Sequence, residues 1–283
     1  MTYRQMLQSL QERFKEADIE EYASDAWILF SAASGLDRGH YLLDQQEEMP
    51  EKEKAILEEY AEKRLQRIPV QHILGEQEFF GLPFHVNENV LVPRQDTEVL
   101  VEKALEKLKE GDRILDLCTG SGCILISLLH EAEKKGMKVT GSGLDLSEKA
   151  LALAKKNAER NAVIFCSEWI KSDMFEKAEG KYDMILSNPP YIPTAEIEKL
   201  MPEVKDHDPR MALDGDRDGL KFYRILAKEA PTFLKEGGSL FLEIGAEQAD
   251  DVSALLAENA FQEIKVVKDL AGLDRVVCAV YGG

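Results

Sequence analysis

Cysteine is scarce in this sequence, and no two cysteines stand in a metal-binding pattern. The four residues, Cys118, Cys123, Cys166 and Cys278, are spread over a chain of 283 residues and include no C-x-x-C pair. This spacing excludes the common zinc motifs and gives no sign of a disulfide framework, which suits a reducing compartment. We therefore expect no metal site.

Long apolar runs are also missing. The amino terminus is polar and charged, without the apolar core of a secretory signal, and no stretch approaches the length that spans a bilayer. We therefore expect a soluble, cytoplasmic protein that has no membrane partner.

Positive charge is in the minority. The chain has 35 Lys and Arg residues against 53 Asp and Glu residues, so its formal net charge is −18. Binding to a nucleic-acid backbone requires Lys and Arg to replace condensed counterions. The deficit is spread along the chain, since residues 1–75 already carry 9 basic and 15 acidic side chains. We therefore expect no direct nucleic-acid partner.

Hydrophobic spacing divides the chain into three parts. Residues 1–72 show helical spacing, for example at Met6, Leu10 and Phe14, which predicts a small helical domain that recognises a substrate. Residues 73–91 place Gly81 and Pro83 between short aromatic runs, which predicts a β-hairpin linker. Residues 92–283 alternate strands with helices and form the predicted catalytic domain.

Seven segments of the third part are predicted to be strands. They are Arg113–Leu117, Val139–Leu144, Val163–Cys166, Met184–Ser187, Ser239–Ile244, Ile264–Val267 and Val276–Val280. Repeated βα units predict an α/β fold with a parallel, doubly wound sheet. No helix separates the last two strands, so we expect the final strand to insert antiparallel. That feature distinguishes the seven-stranded, Rossmann-like sheet of class I methyltransferases from ordinary dinucleotide folds.

A glycine-containing loop follows the first predicted strand, with the sequence Asp116-Leu117-Cys118-Thr119-Gly120-Ser121-Gly122. Glycines allow the backbone to approach a ligand, and the following helix adds free N–H groups. The loop lacks the G-x-G-x-x-G motif of pyrophosphate binders, the P-loop motif of triphosphate binders, and any Lys or Arg. These absences favour a nucleoside without phosphate, S-adenosylmethionine, whose two positive charges suit the neighbouring Asp116.

Four more residues complete the predicted cofactor site, namely Asp145, Asp173, Met174 and Asn188, the last of which also belongs to the substrate clamp described below. Asp145 ends the second strand, where a carboxylate can accept hydrogen bonds from both ribose hydroxyls of a nucleoside. Asp173 and Met174 come after the third strand. We expect Asp173 to accept a hydrogen bond from the adenine amino group, and Met174 to cover the adenine ring.

The run Ser187-Asn188-Pro189-Pro190-Tyr191 follows the fourth strand. Proline has no N–H and a fixed φ, so this segment presents rigid acceptors instead of donors. The Asn188 side-chain oxygen and a proline carbonyl can each accept one hydrogen of a planar NH2 group, on which Tyr191 can stack. Such a clamp orients a poorly nucleophilic nitrogen without a general base. A simple proline-rich turn is the alternative interpretation.

Two further segments lie next to these motifs. Asp96 or Thr97 is expected to cap the helix that follows Val92-Pro93-Arg94. In segment 208–220, Asp214, Asp216, Asp218 and Gly219 match the start of a calcium loop, but Ile225 stands where a bidentate Glu is required. We therefore predict a loop near the ligand-binding edge of the sheet and no calcium site.

Together these motifs resemble the protein-(glutamine-N5) methyltransferases that modify peptide chain release factors, the PrmC or HemK family. The resemblance covers nearly the whole chain. It depends on the cofactor loop, Asn-Pro-Pro-Tyr, and the segments at 69–75, 92–98 and 209–215. It implies S-adenosylmethionine-dependent methyl transfer to the glutamine of the Gly-Gly-Gln loop in bacterial release factors, leaving S-adenosylhomocysteine.

The resemblance also implies roles for individual residues. It assigns Cys118 to Gly122 to the cofactor loop, Asp145 to the ribose, Met174 to the adenine side, and the Asn188–Tyr191 run to the substrate clamp. Cys118 stands where a glycine is common, which is tolerable if its backbone angles are ordinary. Met174 stands where some members carry an aromatic ring. The implied reaction is an in-line displacement by the clamped nitrogen, with no metal and no catalytic base.

Two other functions stay open at the level of sequence. An adenine-N6 DNA or rRNA methyltransferase solves the same chemical problem, and Asn-Pro-Pro-Tyr is shared with such enzymes. That function predicts a basic groove and base-stacking aromatic residues, which the acidic composition disfavours. A binding module with the same fold would bind the cofactor and transfer no methyl group.

Overall fold

The first 75 residues form the helices that their apolar spacing predicts. In the computed structural model, which describes residues 1–283, these helices are α1 (Tyr3–Glu16), α2 (Tyr22–Ser34), α3 (Arg38–Asp44), α4 (Glu51–Leu65) and α5 (Val70–Leu74). Helix α1 begins at a capping box in which Thr2 and Gln5 each bond the other's backbone N–H. Gly35 ends α2 in the left-handed conformation.

These helices belong to a unit that also contains residues 201–207. A buried ionic cluster holds this second segment in the unit. Arg64 on α4 lies 2.7 Å from both Asp25 and Glu203, and Arg67 lies 2.9 Å from Glu203. Burial raises the pKa of Asp25. For Glu203 burial is the largest single influence, but Arg64, a backbone N–H and Arg67 together outweigh it, so the pKa of Glu203 is lowered. The domain boundaries at 72 and 91 stay a prediction.

The second unit comprises residues 76–200 and 208–283. It begins with a hairpin of β1 (Glu76–Phe79) and β2 (Leu82–His85). The remaining strands are β3 (Arg113–Leu117), β4 (Thr140–Asp145), β5 (Ser167–Lys171), β6 (Tyr182–Ser187), β7 (Leu234–Glu243), β8 (Phe261–Lys268) and β9 (Asp274–Tyr281). The helices after the hairpin are, in chain order, α6 (Glu98–Leu105), α7 (Cys123–Lys134), α8 (Glu148–Arg160), α9 (Thr194–Ile197), α10 (Pro202–Lys205), α11 (Arg210–Leu213), α12 (Lys221–Phe233) and α13 (Ala249–Ala257). All of them belong to the second unit except α10, which belongs to the first.

Strands β3 to β9 form one seven-stranded sheet in the order β5-β4-β3-β6-β7-β9-β8. Strands β3 to β7 pair in parallel, and β9 inserts antiparallel between β7 and β8. The predicted fold class and the antiparallel final strand are confirmed. Apolar cores cover both faces, with α6 and α7 on one side and α12 and α13 on the other.

The prediction for the third strand is wrong. Ile164–Cys166 is a short 3-10 helix, and the strand β5 is the following segment, Ser167–Lys171. The apolar Val163 is buried in the core beside α8, whereas β5 is an edge strand that is only partly covered. An edge strand needs no continuous apolar run, so the spacing of apolar residues marked the wrong segment.

The parallel register brings four strand ends to one level. Leu117 pairs with both Leu144 and Ser187, and Ser187 pairs with Leu242. The residues that come next, Cys118, Asp145, Asn188 and Glu243, therefore lie in one row at the carboxyl edge of the sheet, where ligands bind in open α/β folds. None of the helices combines the length and apolar character needed to cross a bilayer.

Replacing Arg64 with Met tests the ionic cluster of the first unit. Only 5% of the Arg64 side chain is exposed, so its loss leaves Asp25 and Glu203 buried without their main partner. We expect the free energy of unfolding to fall by about 3–5 kcal/mol, measured by urea denaturation. The control is Lys63→Met on the same helix, whose pair with Glu59 is exposed and contributes less than about 1 kcal/mol. Equal effects of the two substitutions would contradict this account.

Candidate active site

A cavity of about 480 Å³ lies at the carboxyl edge of β3, β4 and β6. Its volume is in the range of small-molecule sites. The predicted site residues that line it are Cys118, Thr119, Gly120, Ser121, Asp145, Asp173, Met174, Asn188 and Pro190. Those that do not line it are Asp116, Gly122, Pro189 and Tyr191. The structure therefore brings most of the predicted site together and leaves four residues behind the wall.

The two glycines of the cofactor loop have different functions. Gly122 has a φ of +81°, and a Cβ there would come within 2.8 Å of Trp169, so both conformation and packing require glycine. Gly120 also has a positive φ of +55°, but a Cβ there would meet no atom nearer than 4.0 Å. The loop is therefore packed against the protein at Gly122 and open at Gly120, which lines the cavity.

We expect ordinary backbone angles at Cys118, where a glycine is common in the family, but its φ is +58°. The left-handed conformation costs an L-residue about 1–2 kcal/mol, which explains why a glycine is suitable at this turn. Its sulfur lies 3.8 Å from the sulfur of Met174. Burial raises the pKa of the Cys118 thiol, so the side chain packs as a neutral group and is no nucleophile.

Asp145 is held by the backbone on either side. The Gly120 N–H donates to its Oδ2 at 2.9 Å, and the Ser147 N–H donates to its Oδ1 at 2.8 Å. Each carboxylate oxygen keeps a second lone pair for another donor. Burial raises the pKa of this carboxyl. Its fixed orientation at the cavity wall is suited to a ligand with two adjacent hydroxyl groups.

Asp116 lies beneath the loop and is fully buried. The Thr119 hydroxyl donates to its Oδ2, which ties the loop to the end of β3. Burial raises the pKa of Asp116 to about 7, and the Thr119 hydrogen bond acts in the opposite direction. Its position favours support of the loop, and the predicted contact of Asp116 with the cofactor stays a prediction.

Asp173 and Met174 line the cavity after β5. Asp173 is exposed, whereas Met174 is buried and has a φ of +44°. The Ser172 hydroxyl donates to the Met174 carbonyl oxygen at 2.8 Å, which stabilises this tight turn. Both residues therefore border the cavity, and their contacts with an adenine stay a prediction.

The segment at the end of β6 carries two acceptors that the protein leaves free. The Asn188 Nδ2 donates to Thr97 Oγ1 at 3.4 Å, while Asn188 Oδ1 and the Pro189 carbonyl oxygen accept no hydrogen bond from the chain. The Ser187 hydroxyl donates to the Leu117 carbonyl oxygen at 2.7 Å and fixes the segment to β3. Two rigid acceptors are what a planar NH2 group needs.

The predicted helix cap at Asp96 or Thr97 is wrong. A 3-10 helix, Gln95–Thr97, precedes α6, and Thr97 has helical angles and makes no capping hydrogen bond. Its buried hydroxyl contacts Asn188 instead. Thr97 and the buried Glu243 are site residues that sequence reasoning missed. The sequence did contain a signal for Glu243, since this carboxylate follows an apolar run at the carboxyl end of β7, the same position that Asp145 occupies on β4.

Tyr191 is mostly buried, and its hydroxyl donates to Glu243 Oε1 at 3.5 Å. Its carbonyl oxygen accepts a hydrogen bond of 3.0 Å from Gln248. Burial raises the pKa of the Tyr191 hydroxyl, so this residue is neutral at physiological pH and cannot act as a base. Because it points away from the cavity, its stacking on a substrate stays a prediction.

Segment 208–220 borders the cavity, as the sequence predicts. Pro209, Met211, Ala212, Asp214 and Asp216 are among the lining residues. The Thr194 hydroxyl donates to Asp214 Oδ1 at 2.6 Å and orders this loop.

The cavity wall is acidic. It carries four carboxylates, at Asp145, Asp173, Asp214 and Asp216, against two cations, at Arg94 and Lys221. This balance favours a positively charged ligand over a phosphate.

Two family models match the chain. Residues 5–75 match the PrmC N-terminal domain, and residues 94–203 match the methyltransferase small domain. The Release factor glutamine methyltransferase of Agrobacterium fabrum is 41% identical over 94% of this chain and 93% of its own length. The one from Geobacter sulfurreducens is 39% identical over 98% and 95%. This chain belongs to the release factor glutamine methyltransferase family.

Solved structures support the fold of this family member. A methyltransferase from Pyrococcus furiosus aligns with a TM-score of 0.52 over 72% of this chain and 91% of its own, at 18% identity. The Thermus thermophilus 16S rRNA N2 G1207 methyltransferase aligns with a TM-score of 0.51 over 72% and 49%, at 21% identity. At these identities the likeness concerns the fold alone.

Replacing Asp145 with Ala tests the cofactor pocket of this family member. The substitution removes the acceptor that faces the expected ribose and frees the N–H groups of Gly120 and Ser147. We expect the Kd for S-adenosylmethionine to rise about 100-fold, the effect of losing two hydrogen bonds to a charged group, measured by calorimetry. Glu148→Ala, which removes an exposed side chain paired with Lys171, should leave this Kd within about twofold. An unchanged Kd in Asp145→Ala would refute the assigned contact.

Proposed function

We propose that this protein transfers the methyl group of S-adenosylmethionine to the side-chain amide nitrogen of the glutamine in the Gly-Gly-Gln loop of peptide chain release factors. The observation that carries the proposal is the free acceptor Asn188 Oδ1 at the wall of the acidic cavity, next in the chain to a second free acceptor, the Pro189 carbonyl oxygen, whose residue is not itself part of the wall. Membership of the family supports the choice of substrate.

The residues of the cavity fit the proposed methyl donor. Asp145 has free lone pairs for the ribose hydroxyls, and Gly120 leaves the loop open towards the ligand. Asp173 and Met174 border the proposed adenine position. When bound, S-adenosylmethionine supplies an electrophilic methyl group on a positively charged sulfur, which the excess of carboxylates favours. No Lys or Arg stands in the loop to bind a phosphate.

The clamp acts by orientation. An amide nitrogen is a poor nucleophile because its lone pair is delocalised into the carbonyl group. When Asn188 Oδ1 and the Pro189 oxygen each accept one N–H of the glutamine, the nitrogen is polarised and held at one place and angle. Such positioning and fixed electrostatics lower the barrier without proton abstraction. After the transfer the nitrogen carries the methyl group and both of its original hydrogens, and it loses one of these as a proton to solvent.

Neither Cys118 nor Tyr191 supplies a competing base. The Cys118 thiol and the Tyr191 hydroxyl have pKa values raised by burial. Glu243 does not line the cavity. We further propose that residues 1–72 take part in recognising the release factor, with residues 73–91 as a linker to the methyltransferase domain at 92–283.

Replacing Asn188 with Ala separates transfer from cofactor binding. The substitution removes one acceptor of the clamp and none of the groups that face the methyl donor at Asp145. We expect kcat to fall at least about 100-fold, by analogy with the loss of one preorganised oxyanion donor, and the Kd for S-adenosylmethionine to change less than about threefold. Lys199→Ala, an exposed change in the turn after α9, is the control. Equal loss of binding and transfer would contradict the clamp.

A competition experiment tests the acceptor. S-adenosylmethionine with a labelled methyl group is supplied together with intact release factor, rRNA and DNA, and the label is mapped by mass spectrometry. We expect label on the Gly-Gly-Gln glutamine and none on a release factor in which that glutamine is replaced by Glu. Label on an adenine base would instead establish a nucleic-acid methyltransferase. Cofactor binding with no label on any acceptor would establish a binding module.

A further inference from the structure

A buried threonine hydroxyl lies between the clamp and a buried carboxyl. Thr97 Oγ1 accepts the Asn188 Nδ2–H at 3.4 Å. The same hydroxyl also faces the Glu243 carboxyl and favours its ionised form. Thr97 and Glu243 are 3% and 2% exposed, respectively, so solvent does not compete with these contacts. The three side chains form a short chain of polar groups that runs from the cavity wall, at Asn188 and Thr97, to Glu243 behind it.

The orientation of the Asn188 amide decides whether the clamp works. An Asn side chain ends in an oxygen that accepts and a nitrogen that donates, and a half-turn exchanges them with little change in shape. With Oδ1 towards the cavity, Asn188 can accept an N–H of the substrate. With Nδ2 towards the cavity, two N–H groups would face each other and the clamp would repel its substrate.

Thr97 alone cannot choose between these orientations. A hydroxyl both donates and accepts, so it can accept from Nδ2 or donate to Oδ1 equally well. An ionised carboxylate only accepts. When the Thr97 proton points to the Glu243 carboxylate, Thr97 has only lone pairs left for Asn188, and Asn188 must turn Nδ2 inwards and Oδ1 outwards.

Glu243 also supports the other end of the clamp segment. The Tyr191 hydroxyl donates to its Oε1 at 3.5 Å, whereas its Oε2 has no hydrogen bond of ordinary geometry. The strand register places Glu243 in the row of Asn188, because Ser187 pairs with Leu242. The buried carboxyl therefore contacts Tyr191 at the end of the clamp directly, and it lies in the same row as Asn188 at the start of the clamp.

We propose that Thr97 and Glu243 are positioning residues that fix the Asn188 amide with its oxygen towards the substrate, a role that depends on the proposed function. The ionised Glu243 accepts a hydrogen bond from the Thr97 hydroxyl, and Thr97 accepts a hydrogen bond from Asn188 Nδ2. Asn188 then presents Oδ1 to the glutamine. Neither Thr97 nor Glu243 exchanges a proton with the substrate. A protonated Glu243 would instead donate a hydrogen bond to Thr97. The Thr97 hydroxyl could then rotate and donate to Asn188 Oδ1, which would permit the unproductive orientation with Nδ2 towards the cavity.

The charge state of Glu243 makes the clamp sensitive to pH. Burial raises the pKa of Glu243 to about 7, opposed by Thr97, Arg275 and Tyr191. The titratable and charged groups that face it are Asp96, Cys123, Tyr191, Tyr223 and Arg275, and Arg275 is itself paired with Asp269 at 3.0 Å. Because the ionised form is the productive one, kcat should fall as the pH decreases through about 7 and level off above it.

Thr97→Val and Thr97→Ser test the hydroxyl with little change in volume. We expect Thr97→Val to lower kcat about tenfold or more, the factor equivalent to one hydrogen bond, at unchanged Kd for S-adenosylmethionine. The KM for intact release factor should change less than kcat, because a protein substrate is held by a wider surface. Thr97→Ser restores the hydroxyl and should recover most of the kcat. Equal kcat values in the two variants would overturn the proposal.

Glu243→Gln tests the carboxylate. The substitution keeps the shape but adds an N–H donor and removes the titration, so we expect a lower kcat and no acidic limb near pH 7 in the kcat profile at saturating S-adenosylmethionine. Saturation matters because Asp116 has a similarly raised pKa beside the cofactor loop. Glu236→Gln, exposed on the same strand, should keep the wild-type profile. An acidic limb that persists in Glu243→Gln would overturn the role of the carboxylate.

These outcomes are separate from a failure of the proposed function. If wild-type protein labels no glutamine, the proposed function is wrong and the positioning role is overturned with it. If wild-type protein labels the Gly-Gly-Gln glutamine while Thr97→Val retains full kcat, only the positioning role is wrong. Unchanged cofactor binding in each variant shows that the site has folded.

Discussion

The parallel pairing of β3, β4, β6 and β7 is the constraint on which the site depends. Its register places Leu117, Leu144, Ser187 and Leu242 side by side, so the four residues that follow leave the sheet at one level. A slip of one residue would send each side chain to the opposite face. The backbone ladder thereby brings together cofactor loop, ribose acceptor, clamp and supporting carboxyl, which are far apart in the sequence.

Carboxyl groups act on both sides of the cavity wall. Asp145 faces the cavity and keeps lone pairs free, whereas Asp116 and Glu243 are buried behind the loops and face hydroxyl groups. Burying a carboxylate is unfavourable unless donors surround it, and the raised pKa values of all three show that the donors only partly compensate. Some of the acidic residues therefore have a structural function inside the protein, in addition to the effect of the others on the charge of the surface.

The proposed clamp explains how a methyltransferase of this family can act on a weak nucleophile without a base, but it does not by itself select the acceptor. A glutamine amide and an adenine amine both present a planar NH2 group to Asn188 and Pro189. Discrimination between protein and nucleic acid must come from surfaces beyond the clamp. The acidic charge of the chain disfavours a polyanion, which is consistent with a protein substrate.

The sequence by itself determined the elements whose signal is local. Helical spacing gave the amino-terminal helices, glycine and proline gave the loop at 116–122 and the rigid run at 188–191, and the missing helix before β9 indicated an antiparallel insertion. These signals act over a few residues and need no knowledge of neighbours. Only the tertiary structure decided that β5 starts at Ser167, that Cys118 adopts a positive φ, and that Thr97 faces Asn188 instead of capping a helix. Each of these depends on which strands pair and in what register, and such long-range contacts leave no periodic trace in the chain.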